Sequence, residues 1–341
     1  MPTTLPSLLR RTSTVLTMTA ATFALVATTA GAAPAYSYAV AATTPVGAAP
    51  SQVAVSPDGA AAYVTNAQSN DVSILNTTTN TVTGTVPVGE APGGIAITPD
   101  GSGLYVVNAT SKTVSVIDTT TKTVTASVPI TGSASWGAAA SADGAHIYVP
   151  TGDAISVIDT ATNTISATIP VGSFPILAAT NSTHLYVTNA GDYTVSVIDT
   201  AANTVVATIP VPAAGRPVAV TATDQAAYVR SGTEVFVIDA VTNTVSTTFP
   251  VKGTLGGVSV TGDGNTLYVI DSEGGAVAVF DTATNTEVTY LPVGAITGGV
   301  AVSPDGSKAY VTSSDNIVAT ITHGGANATC TGSLCLPTPG R

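Results

Sequence analysis

The chain has 341 residues, and its 9 Lys+Arg against 20 Asp+Glu give a net charge of −11. That sign argues against a binder of phosphate backbones, which needs a basic footprint. With only 9% charged and 44% hydrophobic residues, the composition also excludes a disordered chain.

Residues 1–32 read as a secretory leader. Arg10 and Arg11 form a basic start, an apolar stretch follows from about Val15 to Ala27, and Ala30-Gly31-Ala32 supplies small residues for cleavage, with Ala33-Pro34-Ala35 as a second site. Thr17, Thr19 and Thr22 interrupt the apolar stretch, which favours cleavage over a retained anchor. Losing residues 1–32 removes two arginines and leaves 7 basic against 20 acidic side chains, a charge of −13. No later segment approaches the ~18 apolar residues of a membrane-spanning helix.

From there to about residue 322 one unit recurs. A Tyr-Val pair stands at Tyr63, Tyr105, Tyr148, Tyr186, Tyr228, Tyr268 and Tyr310, at spacings of 42, 43, 38, 42, 40 and 42. Turns such as Ser56-Pro57-Asp58-Gly59 precede the pair, and copies of Val114-Ser115-Val116-Ile117-Asp118 follow it. An Asn-Thr turn and a segment ending in Pro-Val, as at Pro87-Val88, complete the unit. The turns punctuate four short strands: a before Asp-Gly, b with Tyr-Val, c with Val-Ser-Val-Ile-Asp, and d up to Pro-Val. Four strands in about 40–45 residues, repeated seven times, predict an all-β, seven-bladed β-propeller of four-stranded antiparallel blades.

The seventh unit has strands a, b and c but no Pro-Val strand. Residues 38–46 are a strand d with no blade before it. Pairing the two closes the ring by the N-terminal strand and leaves no strand unpaired at the seam.

Tyr63-Val64-Thr65-Asn66 and Tyr186-Val187-Thr188-Asn189, with the Ser-Pro-Asp-Gly and Val-Ile-Asp-Thr segments, resemble the YVTN-type β-propeller repeat of surface-layer-type proteins over residues ~36–322. The resemblance implies the fold. For function it implies only an extracellular or envelope binding and interaction protein.

The chain thus divides into a signal peptide (1–32), a propeller (33–322) and a C-terminal tail (323–341). The tail holds the only cysteines, Cys330 and Cys335. In an exported protein this pair predicts a disulfide closing a small loop, with a metal pair as the alternative.

Repeated residues are scaffold candidates. The aspartates ending strand c (Asp118, Asp159, Asp199, Asp239, Asp281) are expected to cap their hairpins, the asparagines ending strand b (Asn66, Asn108, Asn189) to do the same, and the tyrosines to fill the blade interfaces. Residues that break the repeat are the ligand-site candidates. The d–a and b–c connections meet on one face around the channel. Pro50, Pro92, Pro175 and Pro217 align there, Trp136 takes that place in blade three, and Phe174 and Arg216 precede it in blades four and five. Arg230 and Asp271 lie near the same face. Trp136, Phe174, Arg216, Arg230 and Asp271 are therefore expected to form a pocket at the channel mouth, open to a protein, glycan or small molecule. His146, His184 and His323 have no metal-ligand spacing, and no phosphate loop or nucleophile elbow occurs, so no metal or cofactor is expected. The favoured reading is an exported, non-enzymatic binding or interaction module. The alternative is a secreted lyase- or lactonase-like enzyme acting at the channel mouth.

Overall fold

The computed structural model describes residues 37–133, 136–211, 217–253, 256–324, 330–331 and 334–335, with backbone alone for 217–222, 296–297 and the two short C-terminal strands. The predicted signal peptide, Arg216 and most of the C-terminal tail lie outside the described residues.

The propeller is as expected. Blade one consists of Pro50–Val55, Ala61–Asn66, Asp71–Asn76 and Thr81–Pro87, paired antiparallel in the order a-b-c-d. Blades two to six repeat this order at 92–129, 139–170, 175–210, 217–250 and 258–292. Strand a of each blade contacts strand a of both neighbours, so the seven a strands form the inner ring. Blade seven combines Ile296–Val302, Lys308–Ser313 and Ile317–Gly324 with the N-terminal Ser37–Pro45, which pairs Tyr38 with His323 and Pro45 with Ile317. The Tyr38 ring stacks on His323 at 5.0 Å and meets Tyr268 edge-on at 6.3 Å. The N-terminal strand thus also seals the packing between blades six and seven.

The core is divided among the blade interfaces. Each of seven clusters joins the strand-b tyrosine of one blade to strands of the next, as Tyr186 of blade four packs with Ile209, Ala227 and Phe236 around blade five. The seven tyrosines are all buried. Strand c is buried on both faces, which is why Val114, Ser115, Val116 and Ile117 show no apolar-polar alternation. Strand d lines the outer rim and is mostly exposed, as in Thr81–Pro87.

The turns follow from side-chain chemistry. The c–d hairpins place Asn80, Asn163, Asn203, Asn243 and Asn285 in the left-handed region, which asparagine tolerates better than most residues. Asp118 accepts from the Thr121 N–H at 2.7 Å and Asp159 from Thr162 at 2.8 Å, the capping expected of this series. The asparagines ending strand b behave differently from the expectation. Asn66, Asn108 and Asn189 are fully buried, and each donates through Nδ2 to a strand-c serine of its own blade (Ser73, Ser115, Ser196) at 2.9 Å. They fasten strand b to strand c instead of capping a turn.

Candidate functional site

The mouth is built on a sevenfold scaffold. In every blade the residue after strand d donates its N–H to the carbonyl of the residue before strand c, as Val88 does to Asn70 at 3.0 Å and Val171 to Asp153 at 3.1 Å. The chain then turns into the next blade through a residue in the left-handed region: Ala49, Ala91 and Phe174, at φ of 52–54°. Their N–H groups are held by the preceding blade, through Asn316 Oδ1 at 3.0 Å, Asn70 Oδ1 at 3.0 Å and Asp153 Oδ1 at 3.1 Å.

This conformation costs a non-glycine residue about 1–3 kcal/mol, and alanine satisfies it twice. Phenylalanine in the third case gains little packing in return, because Phe174 is 55% exposed. Its position is nevertheless rigidly set. The Asp192 carboxylate accepts from the Ser173 N–H at 2.5 Å, and the Phe174 carbonyl accepts from Ala190 at 3.0 Å.

Trp136 stands one blade earlier and is 48% exposed. Its indole lies over Gly93 of blade two so closely that a Cβ there would fall 2.6 Å from the ring. Strand a of blade three shrinks to Ala139–Ala140, and that of blade six to Val258–Val260, against six residues in blades one, two, four and five. Between these shortened strands lies a cavity of about 200 Å³, bordered by Trp136, Gln52, Leu177 and Ser259 and by Gly137, Gly257 and Gly298. The other end of the channel opens into about 440 Å³ lined by small residues such as Ala54, Ala96, Ala140 and Ala179. Among the described residues neither cavity has an ionisable side chain in its wall.

Arg230 and Asp271 are placed elsewhere than the open pocket expected for them. Arg230 is completely buried at the interface of blades five and six. Its guanidinium donates to three carbonyls: Gly232 at 3.3 Å, Lys252 at 3.0 Å, and Ile270. Burial lowers its pKa to about 10, against the pull of the Asp271 and Glu273 carboxylates. Asp271 is 5% exposed and accepts from the Gly274 N–H at 2.8 Å and the Tyr290 hydroxyl at 2.7 Å. Burial opposes its charge, but those donors and Arg230 outweigh burial and hold its carboxyl below the usual range. A Cβ on Gly253 would fall 2.2 Å from Asp271 Oδ1 and 3.6 Å from Arg230 Nη2, so the two charged groups flank this glycine inside the wall.

Asp271 occupies the place held by Asn66, Asn108 and Asn189 in other blades, and the strand-c serine that partners those asparagines is Ala278 here. Both positions also change in blade five, to Ser231 and Phe236, and in blade seven, to Ser313 and Ala319, so the readable sign in blade six was the acid itself at the asparagine position. Trp136 and Phe174 are both exposed on connections between blades, but only Trp136 borders the cavity; Arg230 and Asp271 share a buried interface, and Arg216 lies outside the described residues. His146 and His184 begin strands b and stand against Tyr148 and Tyr186. Among the described residues no group of three or more His, Cys, Asp or Glu is arranged to hold a metal ion.

Known proteins resemble this chain in two ways, and no curated protein matches it. The family described as "Lactonase, 7-bladed beta-propeller" matches residues 9–129, which within the described structure reach the end of blade two. Among solved structures, Kuenenia stuttgartiensis hydrazine synthase is 23% identical, with a TM-score of 0.74 over 80% of this chain and 95% of that one. At this identity the likeness is one of fold, and it agrees with the seven-bladed propeller described above.

Proposed function

We propose that the protein is an exported binding or interaction module of the cell envelope or extracellular space, with its ligand site at the mouth around Trp136 and Phe174. The observation that carries this reading is Phe174: a half-exposed aromatic ring held at φ 53°, where Ala49 and Ala91 meet the same backbone demand. A bulky aromatic held half exposed in a strained backbone position that alanine fills elsewhere supports a ligand site there. The YVTN-type repeat and the leader at residues 1–32 support an envelope or secreted location, and the charge of −13 disfavours nucleic acid as partner.

A secreted lactonase-like enzyme is the second reading, favoured by the family match over residues 9–129. Hydrolysis of a lactone requires activated water and a stabilised oxyanion. The carboxylates on this face that a base would be drawn from include Asp153 and Asp192. The two readings separate when the purified mature protein is screened for ligands while γ- and δ-lactone hydrolysis is followed by pH-stat. Saturable binding lost in Trp136→Ala and Phe174→Ala, without turnover, supports the module. Turnover abolished by Asp153→Asn or Asp192→Asn replaces it with the enzyme.

Export carries a covalent corollary. The backbone register sets Cys330 directly opposite Cys335, and facing residues of an antiparallel pair lie within the Cα separation a disulfide spans. We propose that they are oxidised in the exported protein. Unreduced mass spectrometry of secreted material should find the pair two hydrogens lighter, with an N-terminus after Ala32 or after Ala35; two free thiols would refute the bond.

A further inference from the structure

The cavity beside Trp136 has a definite chemistry, and we infer that it takes a small, neutral, polyhydroxylated ring: a monosaccharide or the terminal sugar of a glycan. This rests on the reading of the mouth as a ligand site and names the ligand class. Four observations converge on it.

The first is size. At about 200 Å³ the cavity is smaller than the ~300–1,000 Å³ of pockets for drug-sized ligands. It admits one ring and excludes a folded peptide or a long oligomer from its interior. The second is charge. No carboxylate, amine, guanidinium or imidazole borders it among the described residues. A charged ligand would lose its hydration here without gaining a counter-charge from the described wall, which costs far more than burying hydroxyls that find hydrogen bonds.

The third is polarity without charge. Gln52 and Ser259 border the cavity, and a carboxamide and a hydroxyl together offer donors and acceptors. Gly298, where an added Cβ would meet nothing within 4 Å, leaves backbone there uncovered. Hydroxyl groups need this mixture, because each both donates and accepts. The fourth is the aromatic wall. One side of the Trp136 indole is occupied by Gly93, yet the side chain remains 48% exposed. A flat apolar surface beside uncharged hydrogen-bonding groups matches a pyranose, which carries C–H bonds on its ring faces and hydroxyls at its edge. Gly93 is a positioning residue in this arrangement, since any side chain there must push the indole away.

Trp136 is the only tryptophan of the chain, so its fluorescence reports this cavity alone. The mature protein is titrated with glucose, galactose, mannose and N-acetylglucosamine, and in parallel with glucuronate, glucosamine and glucose 6-phosphate. At least one neutral sugar should shift the emission saturably. The charged analogue of that sugar should bind about tenfold or more weakly. Gly93→Ala, which keeps the tryptophan, should weaken the neutral sugar about tenfold with an unchanged melting temperature. Trp136→Ala, followed by calorimetry, should do the same.

Equal or tighter binding of the charged sugars overturns the neutral class. So does a response to no sugar, while a ligand found by the screen above still depends on Trp136 and Phe174; the site then stands and only its ligand class fails. If no ligand of any kind depends on Trp136 or Phe174, the reading of the mouth as a site fails as well.

Discussion

The Tyr290 hydroxyl lies 2.7 Å from Oδ2 of Asp271, so the outer strand of blade six holds the carboxylate that ends its strand b. Across the blade interface Arg230 spends its donors on carbonyls, and Asp271 is one of the two carboxylates whose charge it feels.

This arrangement makes part of the stability dependent on acid pH. Asp271 has a lower pKa in the folded protein than the ~3.9 of an unfolded chain. Its contribution is therefore fully present above about pH 4–5 and is lost as pH falls through the folded value. Asp271→Asn should be less stable than wild type at pH 7, and urea unfolding should show the gap narrowing towards pH 3. A gap independent of pH would mean that the Asp271 charge contributes nothing. Arg230→Met, which orphans the buried carbonyls, should cost about 3 kcal/mol at pH 7.

Closure by the N-terminal strand is tested by removing it. Deletion of residues 37–45 exposes the edge of Ile317–Gly324 along its whole length. The truncated protein should form higher oligomers on size-exclusion chromatography and lose its single cooperative melt. A monomer with the wild-type melting temperature would show that the seam carries no weight.

The inner ring depends on glycines where main chain meets main chain. A Cβ on Gly257 would sit 2.4 Å from the Gly298 carbonyl oxygen, whereas one on Gly84, in the outer strand of blade one, meets nothing within 4 Å. Gly257→Ala should lose about 1–3 kcal/mol in urea unfolding. Gly84→Ala should be neutral or gain about 0.5–1 kcal/mol, because the unfolded chain loses freedom. Equal effects at the two positions would refute the tight inner ring.

Alkali should attack the interfaces together. Burial raises the pKa of all seven strand-b tyrosines, with Tyr148 at about 12. Groups with raised pKa values keep their full contribution below the unfolded value of ~10 and lose it as pH climbs through the folded values. Absorbance at 295 nm should show these tyrosines ionising in one steep step that coincides with loss of the β-sheet circular dichroism. A gradual titration centred near pH 10, with the fold intact, would contradict their burial.

The blades were legible in the sequence because each interface needs the same tyrosine and the same turns, so Tyr63 and its six copies mark them without reference to distant contacts. The seam was legible too, from a surplus strand at one end and a missing one at the other. Asn66 was misread because asparagine at a strand end ordinarily caps a turn, whereas here Ser73, seven residues on, offers a buried partner. Arg230 was misread for a related reason. An arginine alone in a strand looks exposed, and two of its three acceptors, Lys252 and Ile270, are brought to it only by the packing of blade six on blade five. Trp136 stood out because it interrupts an otherwise regular Pro series, and Phe174 because a bulky residue stands before Pro175 in that series.

The seam also sets a schedule. Each blade from one to six draws its four strands from one stretch of chain, so it can pair and pack as soon as a neighbouring blade is available. The seventh joins partners from opposite ends, as Ala49 and Asn316 are, 267 residues apart. Loop closure of that length comes late and slowly. The N-terminal strand, although synthesised early, must stay unpaired until the last blade has been made. A chain that stops short of blade seven leaves that strand without its partner, so an incomplete copy differs from a finished one by an exposed β edge.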